Sequence, residues 1–193
     1  GSNSSSVVVS PSSSQVYTVN YTAPNGCPAS AQYTVTVNPT PTIALSSSTL
    51  CSGNSVNISS TVTPGGGTYT WLPTNSNSSS INVSPPTGVN NYTLNYITSA
   101  GCFSSAVTSI TVYPTPTLSV NNPTVCYGTV AVLQPTVLPS TGNYTWLPGG
   151  QNTSTIAVSP PSNSSYTLFY QTNDGCNNSI VSNVVVMPNP TVT

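Results

Sequence analysis

The chain carries a short aromatic motif twice: Tyr69-Thr70-Trp71-Leu72-Pro73 returns unchanged 75 residues later, at residues 144–148. The pair Gly101-Cys102 returns at residues 175–176, one residue short of the same spacing. Self-similarity at a fixed period is typical of chains built from an array of like structural units. The sequence therefore predicts a repeat of about 75 residues.

Proline-rich segments recur at the same spacing, and we place the repeat boundaries there. The predicted domains are the second half of a repeat at 1–39, full repeats at 40–114 and 115–188, and the start of another repeat at 189–193. Segments such as Pro114-Thr115-Pro116 are stiff and extended, so they should hold neighbouring repeats at a limited range of angles. Half a sandwich would leave an open apolar face, so we expect a longer array or a neighbouring chain to complete residues 1–39.

Within one repeat, apolar and polar residues alternate over short segments that are separated by turn residues. Ile81 and Val83 show this period of two, and Pro64-Gly65-Gly66-Gly67 predicts a flexible corner. A succession of short strands with turns every ten residues or so is typical of a two-sheet β-sandwich. The sequence therefore predicts an all-β fold.

The aromatic residues have two readings. Trp71 and Trp146 are expected in the core, because so short a repeat has few other large side chains to build one. The alternative is a sugar-stacking surface formed by Tyr69 with Trp71, since residues two apart on a strand share a face. Other tyrosines are expected to be exposed and are the better candidates for ligand contact: Tyr21, Tyr96 and Tyr170.

The chain almost lacks ionisable side chains: it has no Lys, Arg or His, and Asp174 is its single acidic residue. General acid–base catalysis, metal coordination and phosphate binding all depend on such groups. We therefore expect no enzymatic activity, no cofactor or metal, and no nucleic-acid partner. No apolar run approaches the roughly 20 residues that span a membrane, so we expect no membrane insertion. The first residues lack the charged start of a signal peptide, as in the mature part of an exported protein.

The single acidic residue lies in Asn173-Asp174-Gly175, a sequence typical of β-hairpin turns. No base or second acid is available to form a catalytic pair with it. We therefore interpret Asp174 as a turn residue.

Cysteines occupy two equivalent places in the repeat: Cys51 and Cys126 before the second strand, and Cys27, Cys102 and Cys176 at the start of the last strand. Small exported β-domains commonly carry disulfides. The simplest pairing stays within repeats, as Cys51–Cys102 and Cys126–Cys176, and leaves Cys27 to a partner outside the chain. The usual strand order of a sandwich puts these two places at opposite poles, which favours a bridge between adjacent repeats, for example Cys51–Cys176. Connectivity cannot be read from sequence alone, so both schemes stay open.

Asn-x-Ser/Thr sequons are frequent, as expected in so Asn-, Ser- and Thr-rich a chain, and they are candidate glycosylation sites only where the source organism glycosylates such motifs. They lie at Asn3, Asn20, Asn57, Asn77, Asn82, Asn91, Asn143, Asn152, Asn163 and Asn177.

The order of motifs in one repeat resembles a known family. Pro-Thr-Pro, Thr-Leu-Cys-Ser-Gly, Tyr-Thr-Trp, Ser-Ile-Asn-Val-Ser-Pro, Asn-Tyr-Thr-Leu and Ala-Gly-Cys follow one another between residues 39 and 102. This pattern is similar to the immunoglobulin-like repeats of giant surface adhesins exported by gliding and related bacteria of the Bacteroidota. The polycystic-kidney-type (PKD) repeat fits less well, because no Trp-Asp-Phe-Gly-Asp-Gly motif follows the tryptophan. Archaeal surface threads share the Ser/Thr/Asn-rich composition.

The resemblance implies tandem immunoglobulin-like sandwiches and an extracellular or cell-surface location. It also implies a non-catalytic structural or adhesive role in a filament or adhesin. The expected partners are other copies or repeats of the same protein, with polymerisation by strand or half-domain complementation as a variant. The alternative is a polysaccharide-binding module that uses exposed Tyr and Asn side chains.

Overall fold

A computed structural model describes residues 4–191, and every regular element in that part of the chain is a β-strand. None of these elements is a helix long and apolar enough to cross a membrane. The strands are β1 (Gln15–Thr22), β2 (Pro28–Val35), β3 (Thr42–Leu45), β4 (Ser48–Cys51), β5 (Val56–Thr63), β6 (Thr68–Leu72), β7 (Ser80–Val83), β8 (Gly88–Ile97), β9 (Phe103–Tyr113), β10 (Thr117–Val120), β11 (Thr124–Cys126), β12 (Ala131–Leu133), β13 (Pro135–Leu138), β14 (Gly142–Leu147), β15 (Ile156–Val158), β16 (Ser164–Thr172) and β17 (Asn177–Met187).

The sheets repeat along the chain in the same order. One four-stranded sheet has the order β4-β9-β8-β6, and a second has the order β11-β17-β16-β14. The remaining strands form a three-stranded sheet β3-β5-β7 and two pairs, β10-β13 and β12-β15, while β1 and β2 form a hairpin of two strands. In each four-stranded sheet one edge pair is parallel, β4 with β9 and β11 with β17. Strand β6 pairs antiparallel with β8, β14 with β16, and β16 with β17.

Strands β10 to β17 enclose one hydrophobic core. The alternation of β17 shows how: Val184 is buried, while its neighbours Asn183 and Val185 are exposed. Ser182 is also buried on this inward face, and its hydroxyl donates a hydrogen bond to Asn121 O at 2.6 Å, which removes the cost of burying it. The other buried members of this core are Ala131, Leu133, Val137, Trp146, Ile156, Leu168 and Tyr170.

The strands from β3 to β9 bury the corresponding side chains. Trp71 is fully buried, like Trp146, and each indole Nε1 donates to a backbone carbonyl seven residues further on, Ser78 O at 2.9 Å and Thr153 O at 3.1 Å. Core packing of both tryptophans is confirmed, and the sugar-stacking alternative for Trp71 is wrong because its ring has no exposed surface.

The chain separates into two compact units. The first comprises Gly1–Ser46, Ile58–Ile81 and Tyr92–Thr108, and the second comprises Ser47–Asn57, Asn82–Asn91 and Ser109–Thr193. The predicted domain boundaries at the proline-rich segments stay a prediction.

Two tyrosines predicted to be exposed are buried, which corrects the sequence interpretation. Tyr96 and Tyr170 have at most 1% of their surface exposed. The Tyr170 hydroxyl donates to Pro139 O at 2.9 Å, and the Tyr96 hydroxyl accepts a hydrogen bond from Gly67 N at 2.6 Å. Both rings also pack edge-on against a neighbouring tyrosine with centroids 4.9 Å apart. Each phenol therefore fastens the corner that precedes the Tyr-Thr-Trp strand, an interaction that needs the ring inside the fold.

The turn at Asp174 agrees with the prediction. Gly175 N donates to Thr172 O at 3.0 Å, and Thr172 N donates to Cys176 O at 2.8 Å, which closes the hairpin between β16 and β17. Gly175 has φ of 88°, a conformation that favours glycine, and Asp174 is exposed.

Tyr96 requires a glycine at the corner that its hydroxyl fastens, just before β6. A Cβ on Gly67 would meet the carbonyl oxygen of Ile97 and lie 2.7 Å from Tyr96 Cζ, whereas a Cβ on Gly65 meets nothing within 4 Å. We expect Gly67→Ala to lower the free energy of unfolding by about 1–3 kcal/mol and Gly65→Ala to change it by no more than about 0.5 kcal/mol. Urea denaturation of both variants measures this, and equal midpoints would contradict the assigned packing.

Burial, and secondarily the neighbouring Tyr144 phenol, raises the pKa of Tyr170 above its usual value of 10.0. A raised pKa in the folded state favours the protonated phenol, so its stabilising effect is complete below about pH 10 and is lost as pH rises through the folded value. We expect the free energy of unfolding to fall with pH above about pH 10. Tyr170→Phe should reduce that alkaline slope, while Tyr21→Phe, at an exposed ring, should keep it. Unfolding curves at a series of alkaline pH values test this, and an unchanged slope in Tyr170→Phe is the contrary result.

Candidate functional site

A disulfide joins two distant parts of the sequence. Cys51 is bonded to Cys176, 125 residues further on, with the Cα atoms 5.5 Å apart. The preferred pairing of Cys51 with Cys102 and Cys126 with Cys176 is therefore wrong, since Cys102 and Cys126 are free thiols. The alternative bridge, Cys51–Cys176, is the one present.

The direction of the strands explains why the within-repeat pairing fails. Because β11 runs parallel to β17, Cys126 lies opposite Met187, at the end of β17. Cys176 immediately precedes the start of that strand. Eleven residues of extended strand separate the two places by roughly 35 Å, far beyond the reach of a disulfide. The parallel pair β4 and β9 has the same register, with Cys51 opposite Tyr113.

The bridge lies at the proline joint, the name used here for Pro114-Thr115-Pro116. Thr115 is held by Ser52, the residue after the bridged Cys51: Thr115 N donates to Ser52 Oγ at 2.9 Å, and the two hydroxyls are 3.0 Å apart. Ser52 N in turn donates to Tyr113 O at 2.8 Å. These contacts fix the joint from the side of β4 without any charged group.

The other half of the bridge is fixed from the side of β17. Cys176 is fully buried, and its backbone N donates to Thr172 Oγ1 at 3.2 Å. Its sulfur lies 3.9 Å from Tyr113 O. Two residues further on, Asn178 Nδ2 donates to Pro116 O at 2.9 Å. The proline joint is therefore held by a covalent bond and by hydrogen bonds from both sides.

These polar contacts at the joint are absent from the sequence analysis, because the repeat pattern does not mark them. Ser52 corresponds to Tyr127 in the next repeat, and Thr115 corresponds to Asn189 in the next proline segment. Their pairing becomes visible only once the strand order brings residues 52 and 115 together.

The three free cysteines differ in their surroundings. Cys27 and Cys126 are exposed, whereas Cys102 is half-buried. The Cys102 sulfur lies 3.7 Å from Asn38 O, and Cys102 N donates to Thr98 Oγ1 at 3.0 Å. Cys176 makes the equivalent two contacts: its sulfur lies near Tyr113 O, and its backbone N donates to Thr172 Oγ1. A partner for Cys27 outside the chain stays a prediction.

The sequon asparagines that the structure describes are all exposed, so glycosylation at them stays a prediction that the fold accommodates. They are Asn20, Asn57, Asn77, Asn82, Asn91, Asn143, Asn152, Asn163 and Asn177. Asn3 lies outside the described residues.

Between residues 4 and 191 no three His, Cys, Asp or Glu residues come close enough together to hold a metal ion. One open cleft of about 510 Å³ lies beside β17 and is lined by Tyr127, Pro161, Ser162, Asn163, Val186, Met187, Pro188 and Asn189.

No family model matches the chain, and no curated protein matches it either. Several solved structures are similar to this chain. The N-terminal eight Ig domains of Down Syndrome Cell Adhesion Molecule (DSCAM) align with 89% of this chain and 28% of that one, at 16% identity and a TM-score of 0.55. The IG1+IG2 structure of DIP-gamma aligns with 79% of this chain and 99% of that one, at 14% identity and a TM-score of 0.41.

A third match is the protein SGBP-B of a Bacteroides ovatus mixed-linkage glucan utilization locus, solved with a mixed-linkage heptasaccharide. It aligns over 77% of this chain and 48% of that one, at 19% identity and a TM-score of 0.34. At such low identities the likeness concerns the fold alone, and the DSCAM alignment carries it. The chain has an all-β, immunoglobulin-like fold.

Proposed function

We infer that this chain is a non-catalytic structural and adhesive segment of an extracellular filament or cell-surface adhesin. The observation that carries this proposal is the Cys51–Cys176 bridge across the proline joint. A disulfide at this place lets end-to-end force bypass the joint through a covalent bond, which suits a protein that is pulled rather than one that turns over a substrate.

The position of the bridge determines which residues bear tension. Force applied to the two ends of the chain passes from Cys51 directly to Cys176 through the sulfurs. The strands between these two residues are then shielded from end-to-end force. Hydrogen bonds and apolar packing, which are individually weak, would carry that force if the bridge were absent.

The composition of the chain and its disulfide support an extracellular location. Disulfides persist in oxidising compartments, and this one joins two cysteines that are 125 residues apart in the sequence. With no Lys or Arg and a single acidic residue, the folded state depends little on ionic strength, and proteases that cut after basic residues find no site. Such resistance suits a stalk or a matrix protein.

Single-molecule force spectroscopy tests the load path. With the bridge intact, pulling the chain by its ends should withhold the 125-residue loop from extension. Adding a thiol reductant, or replacing both bridged residues by Cys51→Ser and Cys176→Ser, should release roughly 400 Å of additional contour length.

A chain with Cys126→Ser is the matched control, because it keeps the bridge and should extend like the unchanged protein. Equal contour lengths before and after reduction would show that the bridge does not shield the loop, and the proposed role would fail.

The open cleft beside β17 favours a second candidate function, the binding of a neutral polysaccharide. Tyr127 has 56% of its surface exposed there and presents its ring at the rim. The Asn163 carbonyl oxygen Oδ1 accepts a hydrogen bond from Val186 N at 2.8 Å, which fixes the amide in the cleft wall. Aromatic rings beside oriented amides suit uncharged sugars, and the chain has no cation to attract an acidic glycan.

Binding to an array of neutral glycans tests this second function. Tyr127→Ala should abolish any retention, because it removes the ring from the cleft. Phe103→Ala removes an aromatic side chain of similar exposure elsewhere and should leave retention unchanged. No retention of the unchanged chain on any neutral glycan would dismiss the polysaccharide function.

A further inference from the structure

The inward face of the β1–β2 hairpin is open, although the same face is covered elsewhere in the chain. Val19 on β1 is 64% exposed, whereas Leu168, its counterpart 149 residues later on β16, is fully buried. Tyr21 is 61% exposed, whereas its counterpart Tyr170 is 1% exposed. Large apolar side chains placed side by side on an uncovered sheet face mark a site where another element packs.

The hairpin already has the backbone geometry of a complete repeat. Strands β1 and β2 pair in the register of β16 and β17, shifted by 149 residues. Val37 N donates to Ser14 Oγ at 3.0 Å, just as Val186 N donates to Asn163 Oδ1 at 2.8 Å. A partner would therefore meet a pre-organised surface, which lowers the entropic cost of binding.

Strands β16 and β17 show what completes such a hairpin: Leu133, Val137 and Ile156 from the other strands share the core with its inward face, and two further strands extend its edges. Strand β14 lies antiparallel along β16 with Trp146 opposite Leu168. Strand β11 lies parallel along β17 and ends with Cys126 opposite Met187. Among the described residues, no strand pairs with the corresponding outer edges of β1 and β2. Open strand edges with a free row of backbone groups are suited to strand addition.

The thiol of Cys102 marks where a cysteine of the added strand would lie. Its sulfur is 3.7 Å from Asn38 O, as the bridged sulfur of Cys176 is 3.9 Å from Tyr113 O. Cys51, the partner of Cys176, lies opposite Tyr113 in the parallel register of β4 and β9. A strand laid along β2 in that register ends with its cysteine opposite Asn38, beside Cys102.

We propose that the β1–β2 hairpin is a docking site for the first half of a repeat of this same kind. That segment supplies one strand ending in Cys-x-Gly, parallel to β2, and one strand with Tyr-x-Trp, antiparallel to β1. Its tryptophan covers Val19 and its cysteine bonds to Cys102. The inference rests on the proposed function, because it names the partner through which a load-bearing array continues.

The covalent step is an oxidation of two thiols. The Cys102 thiol and the thiol of the added strand lose two protons and two electrons, and a sulfur–sulfur bond forms between them. The oxidant is a disulfide of the extracellular medium, which accepts the protons and electrons and leaves as two thiols.

The test uses the full chain with its Cys51–Cys176 bridge intact and an isotope-labelled peptide of residues 115–155 from the same sequence. The peptide contains β10 to β14, and so both strands that the hairpin lacks. After incubation with oxidised glutathione, mass spectrometry maps which cysteine of the chain holds the peptide. We expect Cys102 to hold most of it, although Cys27 and Cys126 are more exposed.

Two residues of β1 provide a matched pair of controls. Val16 and Val19 are similarly exposed in the hairpin, at 57% and 64%. The counterparts of Val16 are the exposed Asn91 and Ser165, so Val16 faces away from the docking face. Val19→Asn should reduce capture of the peptide by about tenfold or more, because a buried apolar contact is lost. Val16→Asn should leave capture within about twofold.

One position on the inward face of the hairpin carries a different kind of residue from its counterparts in the complete repeats, and changing it should favour capture of the peptide. Tyr33 on β2 stands where Thr108 and Ser182 are buried in the other repeats. Tyr33→Ser restores the small hydroxyl and should capture the peptide at least as well as the unchanged chain.

Several results would overturn the proposal. Peptide attached mainly to Cys27 or Cys126 would mean that exposure alone governs the reaction. Equal capture by the Val16 and Val19 variants would mean that the open face is not used. Dimers of the chain that form without peptide and vanish with Val19→Asn would assign the face to a second copy instead. Each outcome leaves the force measurement on Cys51–Cys176 unaffected, so the two proposals fail separately.

Discussion

Parallel pairing of one short strand with the last strand of the same sheet decides where the cysteines of this chain lie. Since β11 runs alongside β17 in the same direction, a cysteine at the end of the first and a cysteine before the start of the second are a full strand length apart. A bridge within one repeat is then excluded by distance. The cysteine at the end of β4 is instead close to the proline joint and to the turn before β17, and a bond forms there.

Much of the fold can be predicted from local sequence patterns. The features that cannot be predicted in this way depend on contacts between residues distant in the sequence. The tryptophans were predictable as core residues, because a short repeat has few large side chains, and the Asn173-Asp174-Gly175 turn was predictable from its residues alone. Tyr96 and Tyr170 were placed wrongly on the surface. Their alternation with Leu94 and Leu168 points inward, but a buried phenol needs a partner, and the carbonyls that accept from it lie some thirty residues upstream.

The candidate site was predictable only as one of two alternatives. The cysteines recur at two equivalent places in the repeat, so their positions allow bridges within and between repeats, and these positions do not reveal whether two strands run parallel. The Ser52–Thr115 contact at the joint had no signal at all, because neither residue recurs at its equivalent position. Strand direction is a property of the assembled sheet, so the positions of the cysteines along the chain do not contain it.

The bridge also changes the effect of proteolytic cleavage of the backbone. A peptide bond cut anywhere from residue 52 to residue 175 opens a loop whose two ends are still tied together by the sulfurs of Cys51 and Cys176. After one such cut both fragments stay covalently attached through the two sulfurs. Even after several cuts in this loop, the part of the chain before Cys51 and the part after Cys176 stay covalently connected, so proteolysis within the loop does not break the connection between the two ends.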